Sequence, residues 1–122
     1  AKVVGNGYVV GYELIFRLYA TIEKSKGKRV PVTIWEIDEA CEASLDRYEG
    51  CPRFYRKEIV SVEVSGKLYD AMVYIMNEDV RPYQVPTESY YKVVLQGYVD
   101  MGLEIEYLDN GILRTGEIIQ GR

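Results

Sequence analysis

The segment between residues 55 and 76 constrains the fold more than any other part of the sequence. Tyr55–Val64 alternates valine with polar residues, and a second β-rich run, Lys67–Met76, follows after only Ser65-Gly66. Two β-rich runs joined by two residues predict a β-hairpin, because so short a loop can join only antiparallel strands. Residues 71–76 are apolar on both faces, so we expect the second strand to lie deep in a sheet or barrel.

The first third of the chain predicts several further short strands. Tyr12, Leu14 and Phe16 recur at every second position, and β-rich runs also cover residues 20–24 and 30–34. Two glycine-containing segments separate these runs, and we interpret both as turns. They are Gly5-Asn6-Gly7 and Ser25-Lys26-Gly27-Lys28.

A short amphipathic helix is predicted to begin at Asp38, where the apolar period changes from two to about 3.6. Cys41, Leu45 and Tyr48 fall on one face of that helix. Asp38 can cap the first free amides, and Gly50 can adopt the left-handed conformation that ends a helix.

The remainder of the chain predicts a loop and then helical structure. Residues 77–85 lack a clear period and are interpreted as a mobile loop or lid. A helix follows Pro86 and ends at Gly102, and a last segment is broken by Asn110-Gly111. Its apolar stripe consists of Tyr91, Val94, Leu95 and Tyr98. The order of elements predicts an α+β fold with a curved or closed sheet.

The composition fits a single domain that covers residues 1–122, because an apolar content of 48% suffices for a core without crosslinks. The net charge of −4 gives no attraction to phosphate backbones or anionic lipids. We therefore expect neither nucleic acid nor a membrane as a partner. No apolar run approaches the length of about 18 residues that spans a bilayer, and no secretory signal pattern is present, so we expect a cytoplasmic protein.

The absence of histidine limits the chemistry that the chain can perform. It excludes Ser-His-Asp and Cys-His nucleophiles and histidine-ligated metals, so acid–base work falls to carboxylate, Lys, Tyr or Cys. Cys41 and Cys51 are interpreted as free thiols, and an inert role for Cys51 is weighed against a reactive one. The twelve tyrosines predict a core that surrounds polar groups or a wet pocket.

Glu49 is the candidate acid–base residue, because the helical phase places it on the same face as Cys41 and Leu45. Burial would raise the pKa of its carboxyl group and suit it to act as a general base near neutral pH. The alternative is a solvated helix-end carboxylate that pairs with Arg47 or Arg53. Periodicity leaves both interpretations open.

The run Leu45-Asp46-Arg47-Tyr48-Glu49-Gly50, followed by Tyr55 and Arg56, resembles the core signature of the γ-glutamylcyclotransferase-like (AIG2-like) family. Residues 32–37 resemble the strand that leads into that signature, and residues 71–76 resemble the second hairpin strand. Tyr90, Gly97 and Gly102-Leu103 resemble the helix that follows.

The resemblance implies a small mixed β-barrel with flanking helices around a cavity for a small-molecule γ-glutamyl substrate. It implies that Glu49 is the catalytic base for attack of the substrate α-amine on its own γ-carbonyl, which releases 5-oxoproline. It also implies that Tyr55 and Tyr90 line the pocket and that no metal or other cofactor is required. Core tyrosines bonded to the backbone are the alternative for both phenols.

The sequence departs from the family pattern at its start, because it contains no Tyr-Gly-Ser-Asn loop and resembles a chain that lacks its first strand. An absent strand would leave an unpaired sheet edge that favours a homodimer. Arg53 and Arg81 are each interpreted as solvated or as ligands of a substrate carboxylate. The alternatives to an enzyme are a non-catalytic binding or interaction module and a structural homo-oligomer.

Overall fold

The computed structural model describes residues 1–121. Its sheet is four-stranded and antiparallel in the order β2-β1-β3-β4. The strands are β1 (Lys2–Arg17), β2 (Tyr19–Glu36), β3 (Tyr55–Val64) and β4 (Lys67–Met76), and the helices are α1 (Glu39–Glu49), α2 (Glu88–Met101) and α3 (Ile105–Gln120). The predicted α+β fold class with flanking helices is confirmed.

The predicted hairpin forms with the expected bounds, and Val64 pairs with Lys67 across the turn. Ser65 and Gly66 both have positive φ angles, of 51° and 79°, as the tight turns that match strand twist require. The expectation that β4 lies deep in the sheet is wrong, because β4 is an edge strand and only Ile75 and Met76 are buried in it. These two residues lie where β4 approaches β2.

The sheet is open, so the prediction of a closed barrel is wrong. The strands β2 and β4 meet only near one end, where the backbone N–H of Met76 donates to the hydroxyl of Thr21 at 2.9 Å. The strand ladders are antiparallel, and the parallel element is an isolated bridge between Arg17 and Gln84. One apolar cluster fills the concave side of this sheet and consists of Val9, Ile22, Val30, Val60, Val62 and Ile75.

Gly5-Asn6-Gly7 lies inside β1, so its interpretation as a turn is wrong. Strand β3 passes so close to Gly7 that a Cβ atom there would stand 2.4 Å from the carbonyl oxygen of Glu63. Gly7 therefore serves close strand packing. Asn6 accepts from the Thr33 hydroxyl and donates to the carbonyl oxygen of Met101, which links β1, β2 and α2.

Ser25-Lys26-Gly27-Lys28 interrupts β2 without ending it. Val10 pairs with Arg29 and Tyr12 pairs with Lys24, so these four residues bulge opposite Gly11 alone. The predicted short strands are therefore two long ones, because a bulge absorbs the turn-forming residues while the ladder continues on both sides.

The caps of α1 follow the prediction. The Asp38 carboxylate accepts from the backbone N–H of Cys41 at 2.8 Å, and Gly50 ends the helix with φ 65°. The apolar face is weaker than expected, because Leu45 is exposed and Tyr48 is 84% exposed. The expected inward orientation of Tyr48 is wrong.

Helix α2 also begins and ends as predicted, with Thr87 capping Tyr90 N–H and Gly102 in the left-handed conformation. Its apolar stripe packs with Phe16 and Leu108 in a second cluster. The predicted break at Asn110-Gly111 is wrong, since α3 is continuous there. Gly111 is buried against the Leu14 side chain, so it permits close approach of α3 to β1. None of the helices within residues 1–121 is long and apolar enough to cross a membrane.

Candidate active site

Glu49 is the last residue of α1, and its side chain is half-buried. Burial raises the pKa of its carboxyl group above the ordinary value. Among residues 1–121 the carboxylate has no ion pair and no hydrogen bond: Arg47 contacts Ser44, and Arg53 lies over the ring of Phe54. The solvated ion pair proposed as the alternative is therefore not formed.

Tyr55 and Tyr90 lie close enough to Glu49 for its charge to act on both phenols. Burial raises the pKa of both phenols, and the negative charge of Glu49 raises each of them further. Tyr90 also contributes electrostatically to the raised pKa of Tyr55. The structure thus brings the three predicted site residues together from three different elements. Glu49 comes from the end of α1, Tyr55 from the start of β3 and Tyr90 from α2.

Both phenols contact the backbone of Ala20, at the start of β2. The Ala20 N–H donates to the Tyr90 hydroxyl at 3.1 Å, and the Tyr55 hydroxyl donates to the Ala20 carbonyl at 3.4 Å. The backbone bonds expected of core tyrosines are therefore present. Because the Tyr90 oxygen accepts from Ala20, its own O–H proton remains available to a further acceptor.

Two further residues lie beside these phenols: Tyr19, which the sequence did not mark, and Arg81, which it left open as solvated or as a carboxylate ligand. Tyr19 follows the turn residue Leu18, whose φ is 69°, and its ring meets that of Tyr90 edge-on at 5.1 Å. The guanidinium of Arg81 lies 5.2 Å from the centre of the Tyr19 ring. No periodic signal marked Tyr19, because its position depends on a turn between strands that the sequence did not locate.

The loop at residues 77–85 is fixed against the turn between β1 and β2. The backbone N–H of Leu18 donates to the Gln84 carbonyl at 2.8 Å, and Gln84 N–H donates to Phe16. Arg17 is buried and donates to the carbonyl oxygens of Glu78 at 3.2 Å and Arg81 at 2.7 Å. These bonds hold the loop to the residues around the turn between β1 and β2.

The motif residue Asp46 has a structural function in this arrangement. Its carboxylate accepts from the Tyr74 hydroxyl and from Lys57 Nζ, and these two bonds lower its pKa. Lys57 also pairs with Glu42 at 2.7 Å. These bonds attach α1 to β3 and β4, and they set the orientation of the helix end that carries Glu49.

Cys51 follows the helix cap and is half-buried, as is Cys41, and both are free cysteines. Arg56, the last residue of the family motif, forms ion pairs with Glu58 and Glu78. Within residues 1–121, no group of three or more Cys, Asp or Glu side chains is arranged to hold a metal ion.

Comparison with known proteins assigns the chain to a family. The sequence model of the family described as "Gamma-glutamyl cyclotransferase, AIG2-like" matches residues 1–92. The chain belongs to this family. The matched residues include Glu49, Tyr55 and Tyr90, so all three predicted site residues lie in the part of the chain that carries the family assignment.

Solved structures share the fold of this family member. One described as a gamma-glutamyl cyclotransferase has a TM-score of 0.78 and 23% identity, over 90% of this chain and 72% of that one. An uncharacterized protein from Homo sapiens has a TM-score of 0.77 and 24% identity, over 89% and 72%. YkqA from Bacillus subtilis has a TM-score of 0.75 and 20% identity, over 98% of this chain and 44% of that one. No curated protein sequence matches the chain significantly.

Proposed function

We propose that this member of the family is a γ-glutamyl cyclotransferase that releases 5-oxoproline from a γ-glutamyl amine or peptide, with Glu49 as general base. The observation that carries the proposal is the Glu49 carboxylate itself. It is half-buried, has no ionic partner within residues 1–121, and acts electrostatically on two half-buried phenols. A carboxylate held in that state binds a proton more readily than a solvated one.

The reaction balances with no added reactant. Glu49 takes a proton from the substrate α-amine, whose nitrogen then attacks the γ-carbonyl carbon of the same molecule. A C–N bond forms in the five-membered ring, the C–N bond to the leaving amine breaks, and the two protons that the α-ammonium nitrogen loses depart on the leaving nitrogen as an ammonium ion, with Glu49 carrying them across. The attack is intramolecular, so holding the substrate in a folded conformation contributes a large part of the acceleration.

The phenols have separate functions in this proposal. The Tyr90 hydroxyl already accepts from Ala20 N–H, so its free proton can be donated to the γ-carbonyl oxygen as negative charge develops there. The Tyr55 hydroxyl is directed to the Ala20 carbonyl, so its ring and oxygen form a wall that positions the substrate. Raised pKa values keep both phenols protonated at neutral pH.

The experiment that tests the proposal measures 5-oxoproline by mass spectrometry from a panel of γ-glutamyl amines and dipeptides. Wild type and Glu49→Gln are compared, since glutamine has nearly the same shape and cannot accept the proton. We expect release by wild type and a loss of about 10²- to 10⁴-fold in the variant.

Two results would contradict the proposal. Undiminished release by Glu49→Gln would exclude Glu49 as the base. Release by neither protein, together with calorimetric binding of a γ-glutamyl compound, would show a binding module on the same fold in place of an enzyme. Circular dichroism and a thermal melt of each protein verify that the compared samples are folded.

A further inference from the structure

Arg81 is a cation at the rim of the candidate site. Its guanidinium lies 5.2 Å from the centre of the Tyr19 ring, and its positive charge lowers the pKa of Tyr55 against the larger effect of burial. It therefore lies on the same side of the molecule as the phenols that also respond to Glu49. Aromatic faces hold guanidinium groups in place without neutralising them.

The backbone of Arg81 is held in place by Arg17. Its carbonyl oxygen accepts from the guanidinium of Arg17 at 2.7 Å, and Arg17 is 6% exposed. Arg17 is itself held by an ion pair with Glu23 at 3.1 Å and lies over the Tyr83 ring at 3.9 Å. Because the buried Arg17 holds the loop backbone, the Arg81 side chain starts from a fixed position. A fixed position lowers the entropic cost of binding an anion there.

The charge of Arg81 is not used within residues 1–121, where its side chain has no ion pair and no hydrogen bond. Glu78, three residues before Arg81 in the loop, does have a partner. Both of its carboxylate oxygens accept from Arg56, at 3.1 and 3.2 Å. The loop thus pairs one of its carboxylates and leaves its arginine available.

We propose that Arg81 binds the α-carboxylate of the γ-glutamyl group and so restricts the enzyme to substrates with a free α-carboxylate. This inference rests on the proposed function. The α-amine and α-carboxylate of that group are bonded to one carbon, so an amine that faces Glu49 places the carboxylate only a few ångströms away. Glu49 then receives the cationic group and Arg81 the anionic group of one zwitterion, and an arginine fork matches the two oxygens of a carboxylate.

The test compares a γ-glutamyl amide with its α-carboxamide analogue, which keeps the α-amine and the scissile bond and loses the negative charge. Wild type, Arg81→Gln, Arg81→Lys and Arg53→Gln are assayed for 5-oxoproline or its amide. Arg53 is the matched control, because its guanidinium also lies over a ring, 5.5 Å from the centre of Phe54, and it is not among the main influences on Tyr55.

We expect wild type and Arg53→Gln to prefer the carboxylate, and Arg81→Gln to lose about 10- to 100-fold in kcat/KM with it, mainly through KM. The carboxamide should react at a similar rate with all four proteins, and Arg81→Lys should recover part of the loss. The carboxamide also changes the basicity of the amine. That effect is common to every variant and cancels when the preferences are compared.

A binding measurement separates failure of this inference from failure of the proposed function. Calorimetry uses an α-amino acid in which an unreactive alkyl chain replaces the γ-amide, and its α-carboxamide counterpart. Selective binding of the carboxylate that Arg81→Gln abolishes would support the inference even without turnover. Three results would overturn the inference. They are equal use of both substrates by wild type, an equal loss with both substrates in Arg81→Gln, and the absence of both binding and turnover in wild type.

Discussion

Two carboxylates at different places in the molecule illustrate what separates a structural group from a chemical one. Glu13, on β1, is 12% exposed and accepts from Lys28 Nζ and Arg114 Nε, each at 3.1 Å. Glu49, at the end of α1, is half-buried and pairs with none of residues 1–121. The Glu13 carboxylate is neutralised by two cations, and the Glu49 carboxylate has no such partner within residues 1–121.

The surroundings differ in the same way. Glu13 lies where the bulge of β2 meets α3, and Arg29 there is also stacked on Tyr8, at 3.9 Å, and bonded to Tyr107. Lys28, Arg29 and Arg114 there each bind a side chain of another element. At the Glu49 end, the carboxylate acts electrostatically on Tyr55 and Tyr90, whose hydroxyls bind the backbone of Ala20. Folding alone gives no reason to keep an unpaired charge there.

The largest expected effect comes from removing each carboxylate in turn. Glu49→Gln should lower 5-oxoproline release by about 10²- to 10⁴-fold with little change in stability. Glu13→Gln should leave release within about threefold of wild type and lower the free energy of unfolding by about 1 kcal/mol, because two cations lose their partner. Activity assays and urea titrations of both variants measure the contrast. Loss of activity in a folded Glu13→Gln variant would contradict the assignment of a purely structural function to Glu13.

The next effect concerns the two phenols. Tyr90→Phe removes the acceptor of Ala20 N–H and should cost about 1 to 2 kcal/mol in stability, together with about 10²-fold in kcat. Tyr55→Phe removes a longer bond of 3.4 Å, and a carbonyl oxygen is more easily satisfied by water, so its stability should fall by less than about 1 kcal/mol. Urea unfolding and single-turnover kinetics separate the two. Equal kcat in Tyr90→Phe and wild type would remove Tyr90 from the proposed chemistry.

Local sequence rules predicted the elements whose ends carry their own signals. The hairpin turn at Ser65-Gly66, the cap at Asp38 and the helix end at Gly102 depend on residues within a few positions of each other. The rules failed at Gly7 and Gly111, where glycine serves the approach of a distant element, β3 or β1. A sequence pattern does not show which element will pass close to a glycine, so the pattern predicts a turn at Gly5-Asn6-Gly7 and a break at Asn110-Gly111.

The site shows the same division. The phase of α1 made Glu49 a candidate and left a solvated helix-end carboxylate as the alternative, and the family resemblance added Tyr55 and Tyr90. The sequence did not identify Tyr19, and it left Arg81 open between a solvated arginine and a carboxylate ligand, because both residues reach the phenols through the turn at Leu18 and the loop at residues 77–85. Their location depends on tertiary contacts of Arg17. Whether any of these residues acts in catalysis stays a prediction.

A smaller effect tests how closely the Glu13 end is packed. A Cβ atom at Gly111 would lie 2.9 Å from side-chain atoms of Leu14, whereas one at Gly116, on the same helix, would meet nothing within 4 Å. Gly111→Ala should therefore lower stability by about 1 kcal/mol or more, since overpacking outweighs the gain in helix propensity. Gly116→Ala should raise it by about 0.5 kcal/mol. Thermal melts of the pair measure both signs, and stabilisation by Gly111→Ala would contradict close packing of α3 on β1.

The smallest effect is a difference in stability that depends on pH. The pKa of Glu49 is raised in the folded protein, so the folded state retains a proton that the unfolded chain has lost. The carboxylate then destabilises the fold at pH 7, and this cost disappears as the pH falls below the unfolded value of about 4.3. Glu49→Gln should accordingly be slightly more stable than wild type at pH 7 and equal to it near pH 4, whereas Glu13→Gln should be less stable at pH 7. Thermal melts between pH 4 and 8 follow these differences, and a Glu49→Gln protein that is less stable at pH 7 would mean that Glu49 is paired like Glu13.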